Sequence, residues 1–110
     1  MKYYITTTLP YVNAKPHIGH ALEFIQADSL ARYHRLKGDE VIFNTGTDEH
    51  GVKIWNKAKE EKKEIKAYVD EYAEKFGILK DKLNLSYDKF IRTTDPNHVK
   101  AAQKFWELCD

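Results

Sequence analysis

Apolar and polar positions alternate along the chain in a way that predicts three short strands separated by helices. Residues 2–8 form a β-branched and aromatic run that predicts a short buried strand. Leu9 to Lys15 is turn-rich, punctuated by Pro10 and Asn13, and Pro16 suits a helix entry, where its missing N–H costs nothing. Ile18, Leu22 and Ile25 then recur at helical spacing, with Ala21, Phe24, Ala31 and Leu36 widening the apolar face. That pattern predicts a helix from Ala21 to Leu36 with little exposure, lying against a sheet. Gly38 closes it, and Glu40 to Gly46 reads as a second strand. Strand, helix and strand with a short return make a βαβ unit, so the two strands should run parallel.

After Gly51 the periodicity becomes helical again. Lys53 to Lys66 is lysine-rich with glutamates interleaved, which reads as a solvated helical face and a bend rather than a basic surface for RNA. Ile65, Val69, Tyr72, Phe76 and Leu79 define an amphipathic helix. Tyr87 to Thr93 reads as a third strand. Asp95 and Pro96 fit the N-cap and first position of a last helix, with Val99, Ala102, Trp106 and Cys109 as its apolar stripe. The stripe runs on to the final residues with no Gly or Pro, and three parallel strands leave sheet edges unpaired. The expected architecture is therefore α/β, with residues 1–110 forming one part of a longer nucleotide-binding domain.

Composition narrows the class. A chain of 110 residues supports one core. Lys and Arg number 18 against 17 Asp and Glu, a net charge of +1 that provides no electrostatic footprint for nucleic acid. The single cysteine, Cys109, forms no internal disulfide and fits a reducing, cytosolic setting. The N-terminus lacks the features of a signal peptide, and no apolar run approaches a membrane span.

Two segments carry candidate chemistry. The first is Pro10 to His20, reading Pro-Tyr-Val-Asn-Ala-Lys-Pro-His-Ile-Gly-His between a strand and a helix. A strand, a tight loop and a helix start aim free backbone N–H groups at a phosphate. His17 and His20 fall near each other on the first helical turn, and Gly19 leaves room for a flat ligand near the backbone. Imidazoles and helix-terminal N–H groups stabilise charge shifting onto a pyrophosphate leaving group. No Asp, Glu or Cys completes a metal set with the two histidines at ligand spacing, so no metal is expected there.

The second is Thr45-Gly46-Thr47-Asp48-Glu49-His50-Gly51, at the carboxyl end of the second strand, where open α/β sheets bind ligands. Gly46 and Gly51 fit sharp backbone turns. Asp48 has two readings, a carboxylate that pairs with a cationic substrate group or a cap for the following helix.

Together these segments resemble the signatures of class I aminoacyl-tRNA synthetases, and the second is similar to the form found in the methionine branch. Ser86 to Thr94, Ser-Tyr-Asp-Lys-Phe-Ile-Arg-Thr-Thr, also looks like that branch. The resemblance runs from residue 3 to the end of the chain. It implies the N-terminal half of a Rossmann-like fold, with a three-stranded parallel sheet and flanking helices, and the activation of methionine by ATP with Mg2+ before transfer to tRNA. It implies that Pro10, Asn13, Pro16, His17, Ile18, Gly19 and His20 contribute to ATP binding, with the two histidines on the phosphates. It implies that Asp48 takes the methionine ammonium and that Leu9, Tyr11 and Thr8 line the amino-acid site. The family's lysine-rich second signature, its zinc knuckle and its anticodon-binding helices are not matched in this sequence, so tRNA and zinc are expected to be bound elsewhere in such an enzyme, and the segment alone is expected to be inactive or very weak. Two other readings stay open: a nucleotidyltransferase sharing the His-x-Gly-His helix start, and a non-catalytic synthetase-like segment that binds ATP, tRNA or another protein.

Overall fold

Strand β1 (Lys2–Thr6) leads through a loop to helix α1 (Ile18–Leu36), which returns the chain to strand β2 (Glu40–Thr47). Helices α2 (Val52–Glu60), α3 (Ile65–Gly77) and the short α4 (Leu79–Lys82) precede strand β3 (Lys89–Arg92), and α5 (Pro96–Cys109) follows it. The computed structural model describes residues 1–109. The sheet order is β1-β2-β3 and both pairings are parallel, with Tyr4 opposite Ile42 and Gly46 opposite Ile91. This is the α/β, Rossmann-like arrangement expected from the sequence, with β1 and β3 each two or three residues shorter than read and β2 one residue longer.

Alternation along β2 sorts its side chains. Phe43, Thr45 and Thr47 are buried on one face of the sheet, while Ile42 on the other face is half exposed. The core lies on the first face. Phe24, Ala27 and Ala31 of α1 meet Phe43 of β2, Ile54 and Ala58 of α2, and Tyr68, Val69, Tyr72, Ala73 and Phe76 of α3. Burying a side chain such as Phe24 or Phe76 contributes about 1.5–3 kcal/mol each. The lysine-rich stretch bends between α2 and α3, with Lys62 at φ 53°, but α2 also buries Ile54 and Ala58, which its charge pattern concealed.

Only part of the apolar face predicted for α1 packs: Phe24 and Ala31 are buried as expected, but the rest of the stripe is not. Ile18, Leu22, Ile25 and Leu36 are exposed, and the buried positions are Phe24, Ala27, Asp28 and Ala31. The buried positions include a carboxylate, Asp28, on which the sequence reading was silent. Its Oδ1 accepts the backbone N–H and the hydroxyl of Ser86, both at 2.6 Å, and its Oδ2 accepts Arg32 Nε. That tether turns the Asp28 side of the helix onto the segment before β3. Burial pushes the Asp28 carboxyl up, but the Ser86 and Arg32 hydrogen bonds outweigh it, and the net shift is downward. Gly38, at φ +86°, ends α1 as predicted, because a left-handed turn there suits a residue without Cβ.

Two other expectations are corrected. Gly46 does not make a turn. It sits inside β2, where a Cβ would lie 1.8 Å from the Ile91 carbonyl oxygen, so the close approach of β3 demands glycine. The stripe of α5 is not buried among the described residues. Every described side chain of that helix is at least partly exposed, including Phe105 at 71% and Trp106 at 77%.

Candidate functional site

The loop from Thr7 to His17 fixes the geometry of the region beyond the sheet. Val12 is fully buried, and its N–H donates to Asp48 O at 3.2 Å, while Asp48 N–H donates to Pro10 O at 2.9 Å. This parallel bridge between Tyr11 and Asp48 extends the β1–β2 pairing past the strand ends. It places the two sequence segments side by side. Thr7 and Thr45 join beneath them through their hydroxyls, 2.6 Å apart and buried.

At the start of α1, His17 is the N-cap, with extended backbone at φ −127° and ψ 176°. The N–H of Gly19 donates to His17 Nδ1 at 3.1 Å, and the N–H of His17 donates to His20 Nδ1 at 3.2 Å. This is a reciprocal capping box built from two imidazoles. A nitrogen that accepts an N–H carries no proton, so each neutral ring holds its proton on Nε2. The rings stack at 3.8 Å between centroids, and His20 also meets the edge of Phe76. Glycine at position 19 suits this arrangement for a reason the sequence did not reveal. A Cβ would come within 2.9 Å of the His17 ring, so glycine lets the imidazole fold over the backbone. Burial lowers the His20 pKa, the neighbouring His17 lowers it further, and Glu23 acts in the opposite sense. His20 is therefore neutral at pH 7, with one outward Nε2–H to donate.

A cavity of about 530 Å³ opens beside this helix start. Thr8, Leu9, Pro10, Tyr11, Asn13 and Ala14 of the loop line it together with His17 and His20. Of the remaining residues singled out by sequence, Asp48 sits next to the cavity through its bridge to Tyr11, and Pro16, Ile18 and Gly19 lie around the helix start without lining it. Asp48 does not cap α2. The N-cap of that helix is Gly51, at φ 118°, and it carries no side-chain cap. Asp48 Oδ1 instead accepts the His50 N–H at 3.2 Å and lies 3.4 Å from Thr93 Oγ. A larger cavity, about 620 Å³, lies on the far face of the sheet between Asn44, Ile91 and the start of α5, and shares only Leu9 with the first.

Sequence reading missed two sets of residues. Glu23, one turn along α1 from His20, accepts Thr8 N–H at 2.6 Å and Thr8 Oγ–H at 2.8 Å, clamping the loop to the helix. Its spacing of three from His20 and six from His17 was the available signal. Glu49 is buried and accepts the fork of Arg92, Nε at 2.7 Å and Nη2 at 2.6 Å, with Thr47 and Thr94 hydroxyls completing its shell. Arg92 also reaches Asp70 on α3. No local pattern links these residues, because the pairing joins the end of β2 to the end of β3. Among the described residues no cluster of three or more His, Cys, Asp or Glu is arranged for a metal ion, and no helix is long and apolar enough to cross a membrane.

Comparison with known proteins gives a consistent result. A family model described as tRNA synthetases class I (M) matches residues 3–110. A methionine–tRNA ligase of Thermotoga maritima is 50% identical over 105 residues, covering 96% of this chain and 17% of the relative. One from Mycobacterium leprae is 45% identical over 108 residues, covering 98% of this chain and 20% of the relative. A solved structure of Mycobacterium tuberculosis methionyl-tRNA synthetase in complex with methionyl-adenylate superposes with a TM-score of 0.94 at 42% identity, covering 97% of this chain and 21% of that one. The chain thus spans about a fifth of the length of the relatives it matches.

Proposed function

Because this chain belongs to the class I (M) family of tRNA synthetases, we propose that it supplies the ATP-phosphate and amino-acid half-site of a methionine–tRNA ligase. The observation that carries this reading is the imidazole capping box beside a carboxylate. Two histidines with protons on Nε2 line one cavity at the positive end of α1, and Asp48 is stitched to the loop that lines the same cavity. Fixed donors of this kind stabilise charge that develops in the transition state without reorganising.

In the proposed reaction, the methionine carboxylate attacks the α-phosphorus of ATP. A new P–O bond forms, the bond between α- and β-phosphate groups breaks, and pyrophosphate leaves with Mg2+ accompanying the triphosphate as part of the substrate. His17 and His20 donate from Nε2 to phosphate oxygens, aided by the dipole of α1. Pro10, Asn13, Pro16, Ile18 and Gly19 shape the loop and helix start under the nucleotide. Asp48 pairs with the methionine ammonium through a charge-assisted hydrogen bond, and Leu9 and Tyr11 give the thioether side chain an apolar and aromatic wall, with Thr8 at its margin. Holding the carboxylate in line with the α-phosphate contributes the orientation part of catalysis. Transfer to tRNA, and any zinc, belong in this reading to portions of the enzyme other than these residues.

ATP–pyrophosphate exchange in the full-length ligase carrying this segment tests the assignment. Asp48→Ala should raise the methionine KM by about ten- to a hundredfold, the value of one charged hydrogen bond of about 1.5–3 kcal/mol. An unchanged methionine KM would remove Asp48 from the amino-acid site.

A further inference from the structure

Asp48 stands on a loop, and a carboxylate that grips an ammonium needs something to fix its direction. Its Oδ1 accepts the His50 N–H from within the loop at 3.2 Å, and a second contact reaches the same oxygen from the end of β3. Thr93 is buried, and its hydroxyl accepts the Glu49 N–H at 2.8 Å. A hydroxyl has one proton, and with the Glu49 N–H already pointing at its oxygen, that proton is free to go to an acceptor. The acceptor in reach is Asp48 Oδ1, at 3.4 Å. The Thr93 backbone is itself fixed, its N–H donating to Thr47 O at 3.2 Å, and its carbonyl lies 3.3 Å from His50 Nε2. Next to it, the Glu49 carboxylate is fully enclosed, and its two oxygens are satisfied by Arg92, Thr47 and Thr94. Arg92 and Thr93 are neighbours on the same strand end, so the Glu49–Arg92 pair sets the register in which the Thr93 hydroxyl meets residue 48.

We propose that Thr93 is a positioning residue for the amino-acid site: its hydroxyl engages Asp48 Oδ1 and so leaves Oδ2 as the oxygen presented to the methionine ammonium, with Glu49–Arg92 as the clamp that keeps β3 in place. The proposal rests on Asp48 being the ammonium anchor. It makes a prediction that a packing role for Thr93 does not share. Removing the hydroxyl affects methionine and leaves ATP alone.

The test is ATP–pyrophosphate exchange in the full-length ligase with Thr93→Val, Thr93→Ser and Asp48→Asn, singly and with Thr93→Val combined with Asp48→Asn. Thr93→Val keeps the shape and loses the hydroxyl. It should raise the methionine KM about tenfold, the scale of one lost hydrogen bond, with the ATP KM and kcat changed by less than about threefold. Thr93→Ser should restore the methionine KM. In the Asp48→Asn background, Thr93→Val should add less than its separate effect, because the two residues act through one contact. If Thr93→Val does not accumulate as folded protein, Thr93→Ala removes the same group with less bulk and carries the same expectation. An unchanged methionine KM in the Thr93 variants while Asp48→Asn raises it overturns the positioning role alone. Equal losses for both substrates, or no recovery with serine, overturn it as well. A methionine KM that Asp48→Asn leaves unchanged removes the anchor, and the positioning role falls with it.

Discussion

His20 accepts a backbone N–H on one nitrogen and keeps its proton on the other, so its charge state is tied to the shape of the helix start. Burial and the adjacent His17 place its folded-state pKa below 6.5. A depressed value means that the unfolded chain binds the proton more readily. The contribution of His20 to stability is therefore complete above pH 6.5 and is lost as pH falls through the lower folded value. An NMR titration should give His20 a midpoint below 6.5, and a midpoint at or above it would contradict the capping geometry. In the full-length ligase, His20→Ala should slow adenylate formation about a hundredfold or more, the usual cost of one preorganised donor, with exchange kinetics as the measurement. An undiminished rate would take His20 off the phosphates. The histidines and Asp48 were legible in the sequence because each sits in a local strand–loop–helix context. Thr93, Glu49 and Arg92 were not, since their hydrogen bonds cross from one strand end to another more than forty residues away.

At the scale of elements, α1 illustrates what periodicity resolves and what it leaves open. Its existence and its C-terminal end followed from the helical spacing and Gly38, although it begins at Ile18 rather than Ala21, but its buried side includes Asp28, whose partner Ser86 lies 58 positions along the chain. Asp28→Ala should destabilise the fold by about 2–3 kcal/mol, because it leaves the Ser86 donors without an acceptor, and denaturant unfolding at neutral pH measures it. The Asp28 pKa is depressed below 3.8, so the stabilisation exists above that pH and disappears as pH falls through the folded value. The gap between wild type and variant should accordingly close in acid. Gly46→Ala tests the β2–β3 contact in the same assay. With no room beside the Ile91 carbonyl, it should destabilise by about 1–3 kcal/mol or more, the cost of overpacking.

The whole molecule is a slab of 49 × 40 × 18 Å with a radius of gyration of 15.6 Å. A chain of this length packed as a sphere would have a radius of gyration of about 13 Å. The excess reflects a sheet covered well on one face, with Tyr4 and Ile42 half open on the other, and an α5 that exposes Phe105, Trp106 and Leu108. An apolar surface of this kind associates in water. Residues 1–110 expressed alone should self-associate in sedimentation velocity and bind a hydrophobic dye, and replacing Phe105, Trp106 and Leu108 by glutamate should reduce both. The same segment alone should catalyse ATP–pyrophosphate exchange weakly or not at all, since charge in the transition state would be stabilised from one side only. The α/β class and the parallel order were legible from the βαβ spacing. The bare face was not, because an apolar stripe in a sequence says that a surface should be covered and not whether a partner is present.

The stitch between Tyr11 and Asp48 uses main-chain atoms alone, which gives the cavity at the start of α1 two built-in reporters. The amide hydrogens of Val12 and Asp48 belong to loops, where exchange with solvent deuterium is ordinarily quick, yet each is tied to the opposite segment. Their labelling rates report whether the pocket is assembled, with no turnover required.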